Sequence, residues 1–175
     1  MKITTTFVEG LYAVKYDGEV LDELERLLDE WMDIEKLSVF FEDNCADLKY
    51  FHLDVDQAIK ETRKEAASLR KKLINLTLAN NPELDSLFVN LDDREFRIIE
   101  LAKQKSKRKW LRLYAIRVDK DTFVITGGAI KLTHKMEERY HTFKELLKLD
   151  ICWNYLKSQG VFDLDSFNEL DIYRL

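Results

Sequence analysis

The sequence predicts an α+β fold: an antiparallel sheet covered on one face by a helical hairpin, with further helices after the sheet. Three observations lead there. Asp54–Leu78 carries an unbroken apolar seam at spacings of four and three. Trp110–Val118 and Thr122–Leu132 are two β-prone runs joined by Asp119-Lys120-Asp121. Beyond Arg139 the pattern turns helical again. Strand, helices, antiparallel meander and closing helices make an α+β order.

With 175 residues and one proline, the chain fits a single domain, 1–175, in which 136–175 is a helical extension. No apolar run approaches the roughly 20 residues that span a bilayer, and MKITTTFVEGLYAV has no apolar core of a signal peptide. Cys45 and Cys152 stand in no metal-ligand spacing and read as small core residues. The expected setting is the cytoplasm, with no membrane, metal or cofactor.

The net charge of −5 hides an asymmetry. Asp17–Asp56 holds fourteen acids against Arg26, Lys36 and Lys49, whereas Arg94–Lys120 holds ten bases against three acids. A basic surface can therefore exist on an acidic protein. The two blocks could equally neutralise each other across the fold.

Each element has a local cause. Leu11–Tyr16 is a short β-prone run closed by the turn pair Asp17-Gly18, and Asp17 is a candidate helix cap. Leu21, Leu24, Leu28 and Trp31 then form the apolar stripe of a helix over 19–32. Asp33–Phe51 shows no clean period and reads as an irregular connection with one or two turns of helix. In the long helix, Val55, Ile59, Thr62, Ala66, Leu69, Leu73 and Leu76 form the seam, behind a cap at Asp54. That seam suits packing on the first helix and sheet, or a partner or homodimer contact. Asn80-Asn81-Pro82 stops it.

Leu84–Leu91 is a connection, Phe96–Leu101 a strand, and Ser106–Lys109 a turn into Trp110–Val118. Gly127-Gly128 inside the last strand signals a bulge or a close backbone approach. Thr142 and Glu145 have capping-box spacing ahead of a helix ending at Gly160, and Asp163 or Asp165 caps a last short one. The sheet is thus expected to contain Leu11–Tyr16, Trp110–Val118 and Thr122–Leu132, with helices 19–32 and 54–78 packed together on one face.

Chemistry concentrates between Lys103 and His141. Alternation puts Trp110, Arg112, Tyr114 and Ile116 on one side of their strand, and Leu111, Leu113, Ala115 and Arg117 on the other. The first set mixes aromatics with arginine, as surfaces for unpaired bases do. It also fits a half-exposed face whose arginine pairs with an acid. Lys107, Arg108 and Lys109 lie in the preceding turn. Lys131, His134, Lys135, Arg139 and His141 follow the last strand, and histidine exchanges protons near neutral pH. No dinucleotide, phosphate-loop, zinc-protease or nucleophile-elbow motif is present.

WLRLYAIRVDKDTFVITGGAIKLTHKM followed by a helix resembles the C-terminal half of the RelE/ParE toxin superfamily, especially its HigB-like branch. Its strand of arginine and aromatics pairs with a last strand that runs into a basic Lys/Thr segment, here Lys131–Lys135. LYAVKY and the helices to Leu78 resemble the family's opening strand and helical hairpin, enlarged by Asp33–Phe51.

The resemblance implies the toxin of a type II toxin–antitoxin module: an endoribonuclease acting on translated mRNA at the ribosome, inhibited by a cognate antitoxin. In that chemistry the substrate's own 2′-OH attacks the adjacent phosphate and no metal is needed. Carried onto this chain, Arg112, Arg117 and Lys131 are the phosphate stabilisers and His134 the acid or base. Lys107, Arg108, Lys109, Tyr114, Lys135 and His141 hold RNA. The competing expectation is a non-enzymatic module of the same fold that binds an antitoxin, gyrase or another protein.

Overall fold

The structure is a computed structural model and describes residues 1–78, 83–90, 102–106, 110–133 and 136–172. Among these residues six strands form one mixed sheet: β1 (Lys2–Thr5), β2 (Leu11–Lys15), β3 (Phe88–Asn90), β4 (Ala102–Ser106), β5 (Leu111–Asp119) and β6 (Thr122–Ile130). Their spatial order is β1-β2-β6-β5-β4-β3. The expected strand at Phe96–Leu101 and the Asn80-Asn81-Pro82 stop lie outside the described residues.

The β5–β6 hairpin forms as expected, but the sheet is not antiparallel throughout. β2 pairs with β6 in parallel, Leu11 with Phe123 through Ala13 with Ile125. The cause is topological. After β2 the chain crosses over through helices, then returns by the antiparallel strands β4, β5 and β6, which leaves β6 running with β2. A parallel pair requires such a long connection, and side-chain alternation does not reveal strand direction. β1, with Ile3, Thr4 and Thr5, adds an antiparallel strand outside β2 that the sequence reading missed.

Among the described residues six α-helices accompany the sheet: α1 (Glu23–Glu30), α2 (Ile34–Asp43), α3 (Cys45–Leu48), α4 (Val55–Thr77), α5 (Tyr140–Ser158) and α6 (Leu164–Asn168). α1 packs on β2 and β6, and α4 packs chiefly on α2. The expected contact of the first and long helices is therefore mediated by α2, which lies in the stretch read as irregular. Leu37 and Phe41 of α2 are buried at i, i+4, and Asp33 caps it by accepting the Glu35 and Lys36 amides. The exposed Val39 beside Phe40 and Phe41 disguised that period.

The helices cover both faces of the sheet, not one. Leu24, Leu27, Trp31, Leu37, Phe41 and Leu69 pack with Leu111, Leu113 and Ala115 on one face. On the other, Leu149, Cys152, Leu156 and Phe167 of α5 and α6 pack with Tyr114, Ile116, Val118 and Val124. A strand buried on both faces carries no charge along its length, and β6, TFVITGGAI, has none. The large core side chains each contribute roughly 1.5–3 kcal/mol relative to exposure.

Capping follows simple chemistry with two changes of residue. Asp22, not Asp17, caps α1 by accepting the Glu25 amide, while Asp17 takes the N-terminal ammonium. α4 opens with a full Asp54–Gln57 capping box. α5 begins two residues before Thr142, so the Thr142–Glu145 box does not form. Instead the Thr142 hydroxyl donates to the Met136 and Arg139 carbonyls. Asp163 caps α6, and Gly160 closes α5 at φ +77°. α5 also carries a second apolar stripe away from the sheet: Tyr140, Phe143, Leu147 and Ile151 are exposed. Among the described residues no helix is long and apolar enough to cross a membrane.

Candidate functional site

The paired glycines decide how closely the helices approach β6. Register slips between Tyr114 and Ala115, leaving Thr126 as the extra residue of a bulge. A Cβ on Gly127 would stand 1.9 Å from Glu145 Oε2 of α5. One on Gly128 would stand 2.7 Å from the Arg112 carbonyl oxygen and 2.8 Å from Leu27 Cδ1 of α1. The bulge falls at Thr126, one residue before the glycines, and the helices approach the glycines with side chains, Glu145 from α5 and Leu27 from α1.

Beside these glycines lies a groove of about 430 Å³ between α1, α2, β6 and α5. Its wall holds a charge network. Arg26 donates to both oxygens of buried Glu23 at 2.8 and 2.9 Å and to Glu30 at 2.5 Å. Lys148 Nζ lies 3.0 Å from Glu23 Oε2 and 3.0 Å from Glu145 Oε1, joining α1 to α5. Glu145 Oε2 is buried with no hydrogen-bond partner. Burial pushes the Glu145 carboxyl above its ordinary value, against the pull of Lys148. The Tyr16 phenol donates to the Thr126 carbonyl at 2.8 Å, and burial raises its pKa strongly.

The sequence-derived site residues separate into two sets. Arg112 and Arg117 occupy opposite faces of β5. Arg112 is opposite Ala129, which belongs to the α5-side core, and Arg117 is opposite Phe123, which belongs to the α4-side core. Five residues of strand also separate them by roughly 16 Å. Arg117 forms an ion pair with Asp85 at 3.1 Å. Tyr114 is fully buried, because α5 and α6 cover the face expected to stay open. The structure does not bring Arg117 and Tyr114 to a common surface with Arg112.

The other described candidates do gather. The Lys131 amide donates to the Trp110 carbonyl at 2.8 Å, so Lys131 lies beside the start of β5, near Arg112. Arg112 is half-buried, its Nη1 donates to the Leu111 carbonyl at 3.1 Å, and burial lowers its pKa. His141 Nε2 lies 3.0 Å from the Ile130 carbonyl oxygen. That contact requires Nε2 to carry the proton, leaving Nδ1 as the acceptor of the neutral ring. Its ring meets Phe40 edge-on at 5.1 Å, and burial lowers its pKa. Arg139 pairs in bidentate fashion with Asp47 of α3, tying the start of α5 to the α2–α3 segment.

Lys107, Arg108, Lys109, His134 and Lys135 lie outside the described residues. In sequence they flank Trp110 and Thr133, the two sides of this same hairpin end. The network of Glu23, Arg26, Glu145 and Lys148 was missed. Its members come from α1 and α5, more than a hundred residues apart, and only Gly127-Gly128 hinted at a close approach. Both cysteines are free; Cys152 is buried, with its thiol pushed up to about 12 by desolvation, but Cys45 is exposed rather than in the core. Among the described residues no group of three His, Cys, Asp or Glu side chains is placed to hold a metal ion. The chain matches no protein-family model, no curated protein and no solved structure.

Proposed function

We propose that the chain is the toxin of a type II toxin–antitoxin module, a RelE/ParE-like, metal-independent endoribonuclease acting on translated mRNA, with a cognate antitoxin as its protein partner. One observation carries this reading: Arg112, Lys131 and His141 lie at one end of the β5–β6 hairpin. The basic segments 107–109 and 134–135 adjoin that end in sequence.

The chemistry follows from charge. The substrate 2′-OH loses its proton and attacks the adjacent phosphorus. The bond to the 5′-oxygen breaks, and that oxygen takes a proton. Arg112 and Lys131 would stabilise the phosphorane, where placed cations contribute far more than in water. His134 would be the proton carrier, a role worth typically 10²–10⁴-fold. Arg117 and Tyr114 have structural roles in this version of the site.

The deciding experiment incubates the purified protein with RNA and with a translation extract, alongside Arg112→Ala, Lys131→Ala and His134→Ala. Cleavage by the wild type and loss in these variants are expected. Intact mRNA in every sample would overturn the reading. The second reading, a non-enzymatic binding module, is favoured by the outward apolar stripe of α5, which a folded monomer has no need to expose.

A further inference from the structure

β2 and β6 part company in the middle of the sheet. Their ladder ends at Ala13–Ile125, although β6 continues to Ile130. Beyond Ile125, β6 has no strand on that side among the described residues. The Lys131 amide donates toward β5, to Trp110. Strand alternation therefore turns the backbone of residues 127, 129 and 131 toward β5 and that of Gly128 and Ile130 away from it.

Side chains cap both ends of this open edge. Tyr16 occupies the Thr126 carbonyl and His141 the Ile130 carbonyl. Between them, among the described residues, remain the Gly128 N–H, the Gly128 C=O and the Ile130 N–H, along roughly 13 Å of strand. The groove lies along this edge, with α1 and α2 above and α5 below. Its lining includes Gly128 and Ile130, the residues that a further strand would pair with.

We propose that this slot binds a short extended peptide segment of a partner protein by strand addition to the Gly128–Ile130 edge. Three observations favour a peptide. The free groups alternate as donor, acceptor, donor at the repeat of a β-ladder, which gives affinity by main-chain bonding. The distance between the caps accommodates three or four residues. The walls differ in chemistry: the α1–α2 side combines an apolar patch of Trp31, Leu37 and Phe40 with the charged Glu23, Arg26 and Glu30, and Lys144, Glu145 and Lys148 line the α5 side. A guest strand would turn an apolar side chain to the first wall and charged neighbours to the second. The proposal uses neither Arg112 nor Lys131 and shares only His141, as the cap on Ile130, with the proposed RNA site.

The test titrates the ¹⁵N-labelled full chain with acetyl-Lys-Leu-Glu-amide and follows every assigned backbone amide. The largest shifts are expected at Gly128 and Ile130, with a Kd on the order of 1 mM, appropriate to a few ladder bonds. The same peptide N-methylated at every residue should bind at least tenfold more weakly. Absent shifts, shifts centred elsewhere, or equal binding of the N-methylated peptide would overturn strand addition. Adenosine 5′-monophosphate shifting the same two amides at lower concentration than the peptide would overturn it in favour of a nucleobase site.

Discussion

Glu145 rests against Gly127, its Oε2 only 1.9 Å from where a Cβ would stand, so the glycine is the seat of the carboxylate. Gly127→Ala should displace Glu145 from Lys148 and cost about 1–3 kcal/mol, the range for overpacking. Because the obstacle is the far end of a flexible side chain, Glu145→Ala in the same chain should recover most of the loss. Gly128→Ala meets the Arg112 backbone and Leu27 instead, so Glu145→Ala should not rescue it. Urea unfolding of the single and double variants separates the two glycines.

A buried carboxyl whose pKa is raised links stability to pH. Folded Glu145 holds its proton to higher pH than the unfolded chain, whose ordinary value is 4.5. Its contribution is therefore complete below that value and is lost as pH rises through the folded pKa. Glu145→Gln should remove this fall. Denaturation midpoints of wild type and variant, measured from pH 4 to pH 8, should diverge as pH increases. Parallel curves would show that Lys148 cancels the effect of burial.

Cleavage and binding should distinguish the two arginines of β5. Arg112→Ala and Lys131→Ala should lower RNA cleavage at least tenfold and reduce the salt dependence of RNA binding, since each lost phosphate contact releases fewer counterions. Arg117→Ala should leave cleavage near wild type and act on stability through Asp85. Equal losses for Arg112→Ala and Arg117→Ala would contradict the separation of the two faces.

Trp110 anchors the helical layer to the start of β5. It is fully buried, with Phe51 edge-on at 5.3 Å and Phe41 at 6.0 Å. Trp110→Ala should cost about 3–5 kcal/mol, the range for aromatic truncation in a core. Thermal unfolding measures it, and a loss below 1 kcal/mol would mean the cavity collapses freely.

Local periodicity revealed what depends on near neighbours. The seam from Val55 to Leu76, the caps at Asp54 and Asp163, and the β5–β6 hairpin all follow from spacing within one element. Strand direction does not, and that is why β2 was expected antiparallel. The covering of Tyr114 was accessible in principle: Leu149, Cys152 and Leu156 recur at three and four, and β6 is uncharged from end to end. Arginine beside tyrosine suggested an open face, but the tail supplied the missing layer. At the candidate site, Lys131 and His141 were legible as a basic cluster. The Glu23–Lys148–Glu145 bridge was not, because nothing in either helix alone specifies the other.

The parallel β2–β6 pair also sets an order of assembly. Leu11 meets a partner, Phe123, that is synthesised more than a hundred residues later. Until β6 emerges, β2 can pair only with β1, and one edge of that hairpin stays exposed. Contacts of such long sequence separation slow folding. Helices α1 to α4 can form first on local contacts, and their joint with the sheet closes only when the β5–β6 hairpin docks. During translation the nascent chain therefore carries an unpaired strand edge, the feature most open to intermolecular pairing, for most of its synthesis.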